Sequence, residues 1–443
     1  MNKAGAVSSA SRELHGTKTV PGDKSISHRT LLLASQAIGR STIYGLLEGE
    51  DVLNTAKALR ILGVPVTKQQ DVWQVDGVGA GGLAEPDDVL DMGNSGTGAR
   101  LMMGLLATHP FTSFFTGDKS LRGRPMARVV TPLVQMGAQF VSRSNGRLPM
   151  AVLGARNPLP IEYTLPVPSA QVKTAILLAG LNTPGATTVI EHEATRDHTE
   201  RMLTFFGANI VTQDAGKAGK AITLQGGAEL TAKELTVPGD PSSAAFLTVA
   251  ALITPGSHLV IRDICINPAR IGLYDTLQEM GGDIRFENRR EVCGEPVADI
   301  HVRSSRLKGI RVPASRAPAM IDEYPILSVA AAVADGVTCM EGLAELKVKE
   351  SNRLLAIAEG LAACGVPAVV GEDSLEVRGS AGGLLRGDGM VKTSMDHRIA
   401  MSFLVLGLVA EAPVSVDSVA MIQTSFPNFI SLMNGIGAKI TAG

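Results

Sequence analysis

Apolar residues along this chain fall into six stretches with almost no polar face, beginning near Ser27, Arg100, Val172, Ala244, Ile326 and Ile399. A helix that is apolar nearly all round has no side to offer to water, so these six belong in a core. Each is followed by a turn, a β-rich stretch, a polar loop and a second, amphipathic helix that ends in a Gly-containing turn. The closing glycine recurs at Gly63, Gly137, Gly207, Gly281, Gly365 and Gly437, at spacings of 74, 70, 74, 84 and 72 residues. Glycine at such positions is expected to take the left-handed conformation that terminates a helix. A pattern repeating at this period predicts six α/β units. The near-repeat of PGDKS at 21 and VPGDPSS at 237 marks a restart and places three units on each side.

Polar residues gather just ahead of the six buried helices, in PGDKSISHR (21–29), GNSGTGAR (93–100), PSAQVK (168–173), VPGDPSSAA (237–245), IDEYP (321–325) and SMDHR (394–398). Helix N-termini carry unpaired N–H groups and partial positive charge, so six of them aimed at one cleft would bind anions strongly.

Bulk properties narrow the function. At 443 residues the chain exceeds what one core usually organises, and two domains of roughly 200 residues are expected. A net charge of −2 gives no global attraction to nucleic acid or to membrane surfaces, so any anion site must come from local clustering of Lys and Arg. The four cysteines, Cys265, Cys293, Cys339 and Cys364, form no CxxC pair, which leaves metal and redox readings weak. The longest uncharged apolar run, Ile399 to Ala410, falls well short of the roughly 20 residues that span a bilayer. Residues 1–20 lack the apolar segment of a signal peptide, so a cytoplasmic location is expected.

Each motif has a plain alternative. PGDKSISHR sets Lys24, Ser25 and Arg29 within about one and a half turns of a helix start, suited to carboxylate or phosphate; the alternative is a solvated cap. GNSGTGAR allows close backbone approach, but its glycine order is neither a dinucleotide fingerprint nor a Walker loop. It reads equally as a tight turn, and Arg124 in SLRGRPM is just as ambiguous alone. PSAQVK and TRDHTE offer Ser169, Gln171, Lys173 and Arg196, a set suited to a phosphate monoester, while TRDHTE also reads as a capping box started by Thr195. IDEYP puts two carboxylates ahead of a buried helix, where they need partners or a task. KVKESNR places Lys349, Glu350 and Arg353 at a helix start, with Lys349 and Arg353 four apart on one face; a charged surface helix is the common alternative. Arg398 stands at the mouth of a buried helix, and His397 beside it reads as a structural, hydrogen-bonded histidine.

In their order, PGDKSISHR, GNSGTGAR, SLRGRPM, SAQVK, TRDHTE, PGDPSS, IDEYPIL, VKESNRL, DHRIAMSF and SFPNF resemble the 5-enolpyruvylshikimate-3-phosphate synthases, from about Val20 to Ile440. TRDHTE and TSFP look closest to the second, less common sequence class. The resemblance implies a two-domain α/β enolpyruvyl-transferase fold of six repeated units, three per domain, around an interdomain cleft. It implies one domain over 21–236 and a second made of 1–20 and 237–443. It implies an enzyme of aromatic amino-acid and chorismate biosynthesis, a glyphosate target, with no cofactor and no metal. By the same resemblance Lys24, Ser25, Arg29, Ser169, Ala170, Gln171, Arg196, Asp322 and Lys349 would hold shikimate 3-phosphate, and Lys24, Gly96, Arg124, Gln171, Arg353 and Arg398 would hold phosphoenolpyruvate. Asp322, Glu350 and Lys24 would carry the proton transfers. A lysine of other members corresponds to Thr424 here, so one charge of the phosphate clamp is lost or replaced. The partners implied are small molecules only, with no nucleic acid and no membrane, and the chain is expected to be a monomer.

Three rivals remain at this level. An enolpyruvyl transferase acting on UDP-N-acetylglucosamine would use a loop cysteine, and none occurs before Cys265. An ATP-dependent small-molecule kinase would use GNSGTGAR as its phosphate loop. A catalytically dead scaffold would have no reason to keep Lys24, Asp322, Glu350 and Arg398 together.

Overall fold

The computed structural model describes residues 5–443. Of the leader assigned to the C-terminal half, residues 1–4 lie outside those described. The chain forms two compact units, one comprising the residues up to Pro21 with Pro238–Arg290 and Pro296–Gly443, the other Gly22–Val237 with Glu291–Glu295.

In the Gly22–Val237 unit the helices are α1 (Lys24–Gln36), α2 (Glu50–Ile61), α3 (Gly96–Leu106), α4 (Ala127–Gln135), α5 (Ala170–Leu181) and α6 (His198–Phe205). The other unit carries α7 (Pro241–Ile253), α8 (Gly272–Glu279), α9 (Ala317–Met320), α10 (Tyr324–Val333), α11 (Arg353–Ala363), α12 (His397–Leu406) and α13 (Phe429–Asn434). The apolar stretches form α1, α3, α5, α7, α10 and α12, which are buried along almost their whole length. They pack on one another within each unit, α3 against α5 and α10 against both α7 and α12. The α3–α5 approach depends on Gly104, where a β-carbon would stand 2.4 Å from the Ala175 carbonyl oxygen.

Among the described residues the strands form six sheets, and five share one plan. Strand 37–44, for example, pairs antiparallel with 72–78, which pairs with 66–69, while short parallel strands at 230–231 and 234–236 border 37–44. In the sixth sheet the central position is filled from the chain's beginning. Strand Ala6–Ser9 lies antiparallel between Val414–Val416 and Lys439–Ala442, with Ala6 opposite Val416 and Ser8 opposite Ile440. Strand His15–Thr19 then runs parallel to His258–Cys265. All six closing glycines, Gly63, Gly137, Gly207, Gly281, Gly365 and Gly437, have positive φ, as a left-handed helix terminus requires.

Three local expectations change. The buried helices start two to four residues earlier than their apolar runs, because the polar motif residues themselves form the first turns. TRDHTE makes no capping box: α6 begins at His198 without a side-chain cap, and the Thr195 hydroxyl donates to Glu191 at 2.7 Å, a buried carboxylate that needs donors. Lys349 and Arg353 do not share a helix face, since a 3-10 turn ends at Val348 and α11 starts only at Arg353.

Candidate active site

In the Gly22–Val237 unit, Asp23 caps α1 by accepting from the Ile26 amide at 2.8 Å. That cap sets Lys24 and Ser25 in the half-buried first turn, and Lys24 Nζ pairs with Asp51 Oδ2 of α2 at 3.1 Å. One turn on, Arg29 is buried with 3% of its surface exposed. Its Nε donates to Thr199 Oγ1 and its Nη2 to Thr174 Oγ1, both at 2.7 Å, and Nη1 donates to the Ser25 carbonyl at 2.9 Å. Every one of these acceptors is neutral. Burial lowers the Arg29 pKa to about 10, a sign that the charge is poorly compensated.

Ser95 caps α3 and puts Gly96 at its first position. A β-carbon on Gly96 would lie 2.9 Å from Arg100 Nη1 and 3.1 Å from Arg124 Nη1, so two guanidinium groups converge on that spot. Arg124 is held by neutral oxygens, Asn94 Oδ1 and Ser120 Oγ, each at 3.1 Å. Ser169 caps α5, leaving Ala170 at the first helical position with an N–H that has no partner inside the helix. Gln171 ties α5 to α3: it donates to Thr97 Oγ1 and accepts from Arg100 Nη1, both at 2.9 Å. Arg196 is half-buried in the loop before α6. Lys173, grouped with these residues on sequence grounds, is not available to a ligand. It is fully buried between Glu191 at 3.0 Å and Glu200 at 2.6 Å.

The other unit gathers a denser set of charges. Arg353 is wholly buried, and its nitrogens reach Asp396 at 2.8 Å, Glu350 at 2.6 Å and Asp322 at 3.2 Å. Burial opposes its charge, but Asp396, Glu350 and Asp322 together outweigh that and hold its pKa far above the ordinary value. Arg353 therefore orients both proposed proton-transfer carboxylates. Lys349 Nζ approaches Asp322 at 3.5 Å. Arg398, at the start of α12, donates through Nη1 to the Asp322 carbonyl at 3.1 Å and to Glu323 Oε1 at 3.2 Å. Thr424 is buried and its hydroxyl turns back to the Met421 carbonyl at 2.7 Å, so no charge comes from that position.

A family model described as EPSP synthase (3-phosphoshikimate 1-carboxyvinyltransferase) matches residues 9–433. The chain belongs to the EPSP synthase family. Among relatives of the EPSP synthase family, the 3-phosphoshikimate 1-carboxyvinyltransferase of Paramagnetospirillum magneticum is 62% identical over 97% of this chain and 96% of its own length. That of Rhodospirillum rubrum is 59% identical with the same coverage. A solved EPSP synthase from Acinetobacter baumannii superposes with a TM-score of 0.89 at 42% identity, covering both chains completely. Kinase and UDP-sugar transferase readings of the motifs give way to this match over nearly the whole chain.

Sequence reasoning missed several residues that the EPSP synthase fold brings to these motifs. Asp396 was legible inside DHR but overshadowed by its neighbours, and Glu323 lay unassigned inside IDEYP. Arg100 stood in the quoted GNSGTGAR. Thr199 stood in the quoted TRDHTE, whereas Asp51 and Thr174 carried no signal of their own, since they matter only as partners of Lys24 and Arg29.

Proposed function

We propose that the protein transfers the enolpyruvyl group of phosphoenolpyruvate to the 5-hydroxyl of shikimate 3-phosphate and releases phosphate, a reading supported by relatives named 3-phosphoshikimate 1-carboxyvinyltransferase. The observation that carries the reading is Arg29: a buried cation bonded only to neutral oxygens is costly unless an anion completes it. Shikimate 3-phosphate offers both a carboxylate and a phosphate. In this reading Lys24, Ser25, Arg29, Ser169, Ala170, Gln171 and Arg196, with Asp322 and Lys349, take that substrate. Lys24, Gly96, Arg124, Gln171, Arg353 and Arg398 take phosphoenolpyruvate.

The chemistry needs proton transfer and charge stabilisation rather than a redox group. Asp322 accepts the proton of the 5-hydroxyl as its oxygen bonds to C2 of phosphoenolpyruvate, while Glu350 delivers a proton to C3. The tetrahedral adduct then loses a proton from C3 and expels phosphate, whose charge Lys24 stabilises. The pairs of Arg353 with Asp322 and Glu350 support these roles by fixing each carboxylate before substrate arrives, and Asp51 does the same for Lys24. We also take the two compact units as the two domains and the working form as a cytoplasmic monomer. Among the described residues no helix is long and apolar enough to cross a membrane. Phosphate release from phosphoenolpyruvate with shikimate 3-phosphate, compared with UDP-N-acetylglucosamine as acceptor, tests the assignment. Release with the sugar nucleotide and none with shikimate 3-phosphate would overturn it.

A further inference from the structure

The two copies of the PGD motif have diverged in one informative way. Each supplies a capping aspartate: Asp23 accepts from the Ile26 amide and Asp240 from the Ser242 amide, both at 2.8 Å. The first copy continues with Lys24, the second with Pro241, so α7 starts without a cation of its own. Arg270 fills that place from a distant loop, with Nη2 donating to Asp240 Oδ1 at 3.0 Å and to Ser242 Oγ at 2.9 Å. The Ser242 hydroxyl, having accepted from Arg270, donates its single proton to Glu323 Oε1 at 2.5 Å. The same Oε1 accepts from Arg398 Nη1. A continuous chain thus runs from Arg270 through Ser242 and Glu323 to Arg398, joining the starts of α7, α10 and α12.

Glu323 is 2% exposed, and its second oxygen, Oε2, is buried without a hydrogen-bond partner. A carboxylate held that way costs more than an alanine would unless it does something for its neighbour. What it does is geometric. Nη1 of Arg398 is fixed by two acceptors, Glu323 Oε1 and the Asp322 carbonyl, while Nε and Nη2 have no partner among the described residues. Those two nitrogens form the side edge of the guanidinium, the fork that grips two oxygens of a carboxylate or phosphate.

We infer that Glu323 is a positioning residue for phosphoenolpyruvate: propped by Ser242 and Arg270, it anchors Arg398 by one corner and presents the free edge of the guanidinium to the anion. This rests on the assignment of Arg398 to phosphoenolpyruvate. An opposite effect competes, because a carboxylate 3.2 Å from Arg398 also weakens the field that an anion feels. The anchoring wins if removing the acceptor hurts more than removing the charge helps, since a shift of about 1 Å in a positioned group can cost up to about a hundredfold.

Glu323→Gln, Glu323→Met and Ser242→Ala separate the two. Glutamine keeps an acceptor oxygen and loses the charge; methionine loses both; the serine change removes the prop and leaves Glu323 in place. Anchoring predicts a Michaelis constant for phosphoenolpyruvate raised about tenfold by methionine and by a smaller factor in the other two. The constant for shikimate 3-phosphate and kcat should stay within about twofold, which a general loss of structure would not produce. A phosphoenolpyruvate constant that is unchanged or lowered in the soluble variants overturns the inference, as does an equal rise for both substrates. Should Glu323→Met fail to fold, Ser242→Ala decides on the same criterion. Arg398→Lys serves as the reference. If it raises the phosphoenolpyruvate constant while the Glu323 and Ser242 variants do not, only the positioning role fails; if it leaves the constant unchanged, the assignment beneath it fails as well.

Discussion

Lowering the pH should loosen the Gly22–Val237 unit through one histidine. His28 lies inside α1 with no exposed surface, Nδ1 at 2.8 Å from Thr55 Oγ1 of α2 and Nε2 at 3.4 Å from Ser95 Oγ, the cap of α3. Both ring nitrogens thus face hydroxyls, and a neutral imidazole suits the pair by donating through one nitrogen and accepting through the other. Burial, reinforced by Lys24 and Arg29 and only partly opposed by Asp23, pushes the pKa from 6.5 down to about 3. Between those values the unfolded chain binds a proton that the native helix refuses. The His28 contribution is therefore complete above about pH 6.5 and drains away as the pH falls towards 3. By about pH 5 the loss amounts to about 2 kcal/mol, at 1.36 kcal/mol per unit. Native-state hydrogen exchange of the α1 amides, corrected for intrinsic rates, reads this free energy without requiring both units to unfold together. Between about pH 7 and about pH 5 the natural protein should lose about 2 kcal/mol of α1 protection more than His28→Asn, which has no group titrating in that window. An equal loss in the two proteins would show that His28 is already protonated or that it does not hold the three helices together.

Other outcomes follow from the same geometry. Gly96→Ala should fold normally, because Gly96 is helical and the crowded atoms are the tips of Arg100 and Arg124. It should weaken glyphosate competition against phosphoenolpyruvate more than it weakens phosphoenolpyruvate itself, and equal inhibition of both proteins would remove Gly96 from that pocket. Asp322→Asn should bind both substrates and lose turnover by at least about a hundredfold, with near-normal turnover removing it from the proton transfer. Lys173→Met should destabilise the unit by about 3 to 5 kcal/mol in urea unfolding, since it leaves Glu191 and Glu200 buried without their cation. Unchanged stability would mean that those carboxylates are already protonated.

What the chain determined alone were features that depend on a few consecutive residues. An all-round apolar run can only be a buried helix, and a glycine after an amphipathic stretch gives a left-handed helix end at no steric cost; the six repeats of that pairing made the α/β units legible. The polar motifs were legible for the same reason, because a capping residue and the turn that follows it are neighbours in sequence. Tertiary structure alone decided which charges are enclosed by carboxylates and which are met by neutral groups. Lys173 was grouped with the phosphate-binding candidates on sequence grounds, yet folding closes two glutamates around it, 18 and 27 positions away. Arg29 keeps an uncompensated charge because its partners, 145 and 170 positions away, are threonines rather than carboxylates. Arg353 meets Asp396 from 43 positions away, and strand Ala6–Ser9 completes a sheet with residues beyond 413. Periodicity reports how one element meets its own environment. Whether a buried charge is compensated depends on which side chains arrive from other elements, and only the packed chain settles that.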